Sequence, residues 1–137
     1  MSYETFDHTA DLGLRVRAPD LATLFIDAAR GLFSMIVREP GTVRPADAVS
    51  IELDASALDL LLFDWLSELV YLYETRHLLL GEFDVQLSES HLTAIARGEP
   101  VDRQRHELEH EVKAITYHGL KVEQTSHGWL AEVIVDI

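Results

Sequence analysis

The chain has 137 residues, 47% of them hydrophobic, and 24 acidic residues against 11 basic ones leave a formal net charge of −13. That length suits one domain with a core of its own. So acidic a balance excludes a direct grip on a nucleic-acid backbone or an anionic membrane surface, both of which need clustered cations. With no cysteine, disulfide scaffolds, thiolate nucleophiles and cysteine-ligated zinc or iron–sulfur centres are excluded too. Met1-Ser2-Tyr3-Glu4 lacks a basic region followed by an apolar run, so no signal peptide is expected. The most apolar stretch, residues 58–73, is too short to span a bilayer and carries Asp59, Asp64 and Glu68. A cytoplasmic protein is expected.

In chain order, residues 3–7 predict a short strand, followed by the polar run Asp7-His8-Thr9-Ala10-Asp11. Leu12, Leu14, Val16 and Ala18 alternate with Gly13, Arg15 and Arg17, the pattern of a half-buried strand. Pro19-Asp20 opens a helix with Asp20 as N-cap, and Leu21, Leu24, Phe25, Ala28, Leu32 and Ile36 form its apolar stripe. After a loop marked by Pro40-Gly41 and Pro45, alternation over 49–55 gives another strand. Ser56 is then expected to cap a second helix running to about Tyr73, apolar on nearly every side and so the central buried one. Phe83, Val85 and Leu87 begin a strand that pairs with 92–97 through Glu89-Ser90-His91, and Gly98-Glu99-Pro100 reads as a turn. A polar stretch, 102–111, precedes three strands at 112–117, 120–125 and 129–136. The expected fold is a single α+β domain, 1–137, with mostly antiparallel sheet packed with two main helices.

His106-Glu107-Leu108-Glu109-His110 matches H-E-x-x-H, which on a helix sets two imidazoles on one face to bind zinc, with the glutamate as general base. The surroundings argue against it. Arg103-Gln104-Arg105, Glu109 and Glu111 make the segment polar all round, and the 27 residues that follow already read as strands. A solvated loop or short helix is the plainer expectation.

The carboxylates near the two ends of the chain hold more interest. Asp7, His8 and Asp11 crowd a tight connection between two strands, where aspartate commonly bonds local backbone. The last strand runs up to Asp136-Ile137, which brings the α-carboxylate of Ile137 to the end of an ordered strand. If the amino-terminal turn lies beside that end, Asp11, Asp136 and the terminal carboxylate converge. Three anionic groups in one place repel unless a cation joins them, and a hard one such as calcium or magnesium suits oxygen donors. Lys113, one of only two lysines, alternates onto the face of Ile115 and Tyr117 and is expected partly buried or at a rim, with an acidic partner if buried.

Several stretches resemble the archease family. Phe6-Asp7-His8-Thr9-Ala10-Asp11-Leu12-Gly13 resembles its opening signature, and residues 24–33 resemble its first helix. Trp65-Leu66-Ser67-Glu68-Leu69 falls at its W-L-x-E-L segment, Val112-Lys113-Ala114-Ile115-Thr116-Tyr117-His118 at its V-K-A-x-T-Y-H strand, and the chain closes on its Asp136-Ile137 ending. The resemblance implies an accessory protein of RtcB-type RNA ligases, not an enzyme itself. Such a protein promotes guanylylation and repeated turnover of the ligase in tRNA splicing and RNA repair, without binding RNA or membrane directly. It also implies a divalent cation, calcium first and magnesium or manganese as substitutes, held by Asp11, Asp136 and the terminal carboxylate of Ile137. The family's functional lysine maps to Lys113, while Asp7 and His8 lie within the signature as support for the metal loop. Two other readings stand beside this one: a general peptide-binding chaperone, and a zinc-dependent hydrolase using His106 and His110.

Overall fold

The computed structural model describes residues 2–8 and 11–137. Alternation over 3–18 produces strands β1 (Tyr3–His8) and β2 (Asp11–Ala18), paired antiparallel. Asp20 then starts helix α1 (Leu21–Ile36) by accepting the Thr23 N–H at 2.8 Å, which satisfies one of the donors a helix leaves open at its start. Strand β3 (Asp47–Asp54) leads to helix α2 (Leu58–Arg76), which ends at His77 in the left-handed conformation. Strands β4 (Leu78–Ser88) and β5 (His91–Pro100) form a hairpin about Glu89-Ser90. The short β6 (Ala114–Ile115), β7 (Lys121–Thr125) and β8 (Gly128–Asp136) finish the chain.

The strands make two sheets. In one, β8 lies between β2 on one side and β7 and β6 on the other, with β1 outside β2; the second runs β3-β5-β4. All the pairings among the described residues are antiparallel, giving the α+β class expected. Both helices touch strands of both sheets, so one apolar cluster joins the two layers. Trp65 sits fully buried in it, donates its indole N–H to the Phe25 carbonyl at 3.0 Å and meets the Phe83 ring edge-on. Among the described residues no helix is long and apolar enough to cross a membrane.

Four expectations are corrected. Helix α2 starts one residue later than proposed, with Ala57 at the cap and no side-chain hydrogen bond, so Ser56 does not cap it. The more deeply buried helix is α1, with 10 of its 16 residues buried against 7 of 19 in α2. Ala28, Ala29 and Gly31 let neighbouring elements close on α1 from several directions, whereas α2 turns one apolar side outward. Residues 98–100 are no turn: β5 runs through them, opposite Leu78–Leu80. Proline is tolerated there because β3 ends at Asp47, opposite Gly98, leaving that side of Pro100 without a strand. Finally, the predicted strand 112–117 shortens to Ala114–Ile115, because β8 offers only its last residues to it once β7 has taken the start of the same edge.

Gly98 is required where β4 and β5 approach: a Cβ there would lie 1.8 Å from the Leu79 carbonyl oxygen, a backbone atom that cannot swing aside. Gly98→Ala is therefore expected to cost about 1–3 kcal/mol in urea unfolding, as overpacking does. Gly41→Ala, in open space, serves as the control and should shift the midpoint little. An unchanged midpoint for Gly98→Ala would contradict this packing.

Candidate functional site

The register of the first sheet places Asp11 directly opposite Asp136 across β2 and β8. Directly opposed residues of an antiparallel pair project from the same face, and the alternate residues Leu14, Val133 and Val135 are buried on the other face. Both aspartates are half-buried. The row continues in register to His8 of β1 on one side and Ala114 of β6 on the other, so it carries no lysine or arginine. Ile137 follows Asp136 directly and is likewise half-buried.

Four residues along the strands the charge is balanced differently. Arg15 reaches Glu4 at 3.0 Å and Glu132 at 2.7 Å, and Lys121 reaches Glu132 at 3.4 Å. Burial alone would raise the Glu132 pKa, but the hydrogen bonds from Arg15 and Lys121 outweigh it and hold the carboxyl below its usual range. Arg15 and Lys121 thus both gather on Glu132. Two carboxylates facing one another in register repel. A hard divalent ion fits the oxygen donors that two carboxylates offer. Among the described residues no group of three or more histidine or acidic side chains is placed to hold a metal.

The other proposed residues fall at different places. Asp7 stands opposite Leu12, one residue out of step with the row, and is exposed, so strand alternation aims it away from Asp11 and Asp136. His8 keeps its register position opposite Asp11; Thr9 and Ala10 of the signature lie outside the described residues. Lys113 is tied to the site through its backbone, whose N–H donates to the Asp136 carbonyl at 2.8 Å. Its side chain is exposed at the rim of a groove beside α2, and among the described residues it forms no ion pair. The acidic partner expected for a buried lysine is therefore not needed.

The H-E-x-x-H match does not form a zinc site. Residues 106–110 are not helical: Leu108 bridges Val37, and Glu109 and His110 donate N–H groups to the last carbonyls of α1. His106 is 3% exposed with both ring nitrogens engaged, Nδ1 accepting from the Asp102 N–H at 2.9 Å and Nε2 donating to Glu99 at 3.1 Å. His110 is exposed. The hydrolase reading is overturned, and a buried polar network takes its place: Glu99 also accepts from the Arg44 N–H at 2.7 Å and from the Arg105 guanidinium. The sequence hid this network because Glu99 lies in what reads as a turn, and one of its partners, Arg44, comes from a segment 55 residues away.

The model of the Archease protein family (MTH1598/TM1083) matches residues 3–137. The chain belongs to the archease family. A protein archease of Methanopyrus kandleri is 38% identical over 141 residues, covering the whole of both chains, and one of Pyrococcus furiosus is 36% identical with 98% of each covered. The solution structure of Methanobacterium thermoautotrophicum protein 1598 superposes with a TM-score of 0.87 at 33% identity over 99% of both chains. A crystal structure from Thermotoga maritima, described as an archease and possible chaperone, gives 0.63 at 18% identity over 98% of this chain and 96% of the other, and so shares the fold.

In this archease the Glu99 network predicts a pH dependence. Burial alone would raise the Glu99 carboxyl, but the hydrogen bonds from Arg105, the Arg44 N–H and His106 prevail and lower its pKa from 4.5 to about 2. A folded-state value below the unfolded one means the ionised group stabilises the fold above about pH 4.5 and loses that contribution as pH falls toward 2. Wild-type stability should therefore drop more steeply across that window than that of Glu99→Gln in chemical unfolding. Parallel curves for the two would contradict the network.

Proposed function

We propose that this archease is a metal-binding accessory factor that promotes guanylylation and multiple turnover of an RtcB-type RNA ligase, in tRNA splicing and RNA repair in the cytoplasm. The ligase and its guanylylation are what the family resemblance implies. The observation that best supports a metal-dependent role is the direct opposition of Asp11 and Asp136, in a row without lysine or arginine. In the proposal these two carboxylates, joined by the terminal carboxylate of Ile137, hold the ion. A divalent cation there supplies a hard positive centre that offsets the carboxylates and can polarise phosphate oxygens. Lys113 contributes a mobile ammonium anchored by its backbone to Asp136. His8 borders the pair in register, whereas the placement of Asp7 on the other face speaks against its serving as a ligand.

The charge supports the same partner class. A ligase that holds RNA carries a basic surface, and a net charge of −13 steers association with such a protein while keeping this chain off the RNA. A general peptide-binding role is the second reading, favoured by the apolar residues exposed on α2. It predicts that removing the aspartates leaves suppression of aggregation intact.

Two measurements separate these. Asp11→Ala, Asp136→Ala and Lys113→Ala should each fold yet fail to restore multiple-turnover ligation by the cognate ligase with GTP; full stimulation by all three would sink the proposal. Calcium should raise the melting temperature of the wild-type chain, with a stabilisation of about 2.7 kcal/mol at a hundredfold excess over Kd. It should leave the melt of the Asp11→Asn, Asp136→Asn variant unmoved.

A further inference from the structure

Helix α2 is apolar on two sides, and only one of them faces the core. The buried side carries Leu61, Leu62, Trp65, Leu66 and Leu69. The outward side carries Leu60, Phe63, Ser67 and Tyr71, at the three- and four-residue spacing that puts side chains in one stripe. From Leu60 to Tyr71 the stripe runs about 17 Å, at 1.5 Å per residue. Tyr117, beyond the end of β6, lies flat on Phe63 with ring centroids 3.9 Å apart and planes 10° from parallel. Four large apolar side chains are exposed among the described residues, and three of them, Leu60, Tyr71 at 58% and Tyr117 at 63%, belong to this patch. Between Phe63, Tyr71 and Lys113 runs a shallow groove of about 250 Å³.

We infer that this stripe of α2, with Tyr117 and Lys113 at its edge, is the docking surface for a basic protein partner. The inference rests on the ligase reading above, which it deepens by saying where the ligase is gripped. Three observations choose the occupant. Asp64 and Glu68 flank the stripe along the helix and Glu74 follows it, so the apolar centre has an acidic margin that complements lysine and arginine. A second copy would set that margin and a charge of −13 against themselves, and an anionic membrane or nucleic acid would be repelled in the same way. The patch is also continuous with the carboxylate row: Ala114 pairs with Asp136 in register, and Lys113 lines the groove while its N–H holds the Asp136 carbonyl. A partner seated on Tyr71 and Tyr117 therefore lies against the segment that pairs with Asp136. Exposed tyrosines with an apolar neighbour are the residue types that carry binding energy at such interfaces.

The test measures the affinity of the cognate ligase for the full chain by calorimetry at two salt concentrations. The Leu60→Arg, Tyr71→Arg variant should lose at least tenfold in affinity while keeping the wild-type circular dichroism. Tyr71→Ala, which removes an exposed ring without adding charge, should lose at least threefold and covers the case in which the double variant does not fold. Ile95→Arg, at the exposed apolar residue on the outer face of the β3-β5-β4 sheet, should bind as the wild type does. Wild-type binding that neither α2 variant weakens, or that Ile95→Arg weakens equally, overturns the surface and leaves the ligase reading standing. A wild-type chain that does not bind the ligase at all overturns both.

Discussion

Strand β8 is paired along both edges, with β2 on one and β7 and β6 in turn on the other, and the placement of the chemistry depends on that pairing. Its side chains alternate between a buried face, holding Val133 and Val135, and a face where Glu132 and Asp136 emerge. A slip of one residue would send every side chain to the wrong face, so burial of the apolar set fixes the register. Once the register is fixed, Asp11 must stand opposite Asp136, and Glu132 must stand opposite Arg15. Core packing therefore determines which side chains face each other across the sheet, Asp11 with Asp136 and Arg15 with Glu132.

The same pairing ties together surfaces that lie far apart in sequence. β6 uses only Ala114 and Ile115 to reach β8, yet that contact brings Lys113 to the Asp136 carbonyl and leads the chain on to Tyr117 against Phe63 of α2. The carboxylate row, the lysine and the aromatic patch are thereby held in one arrangement by a two-residue strand. Its mechanical support is the flat stack of Tyr117 on Phe63 and the burial of Val112 and Ile115 on either side of Lys113.

Much of this was readable from residues whose local signal agrees with the final fold. The alternation of 12–18, the Asp20 cap, the stripe of α1 and the hairpin at Glu89-Ser90 each rest on a few neighbouring residues, and the structure has them all. The misreadings come where distant chain decides. Gly98-Glu99-Pro100 has turn composition, but Gly98 admits the Leu79 carbonyl and Pro100 lies beyond the end of β3. The richness of α2 in leucine and aromatics suggested complete burial, when part of it faces outward. Lys113, expected partly buried or at a rim, stands at the rim of the groove beside α2, and the shortness of β6 leaves it exposed there. For the site, the sequence supplied Asp11 and Asp136 as candidates, and only the pairing of β2 with β8 places them opposite one another. His106 carried a zinc-like spacing that the surrounding fold turns into a buried partner of Glu99.

If Asp11 and Asp136 hold a divalent cation as proposed, anomalous diffraction will locate the ion between them. Crystals grown with calcium, then exchanged with manganese, would be measured on either side of the manganese edge. One strong peak should appear within coordination distance of both carboxylates and be lost in crystals of Asp11→Asn, Asp136→Asn. Stoichiometric metal bound elsewhere, or no peak between the two aspartates at saturating metal, would contradict it.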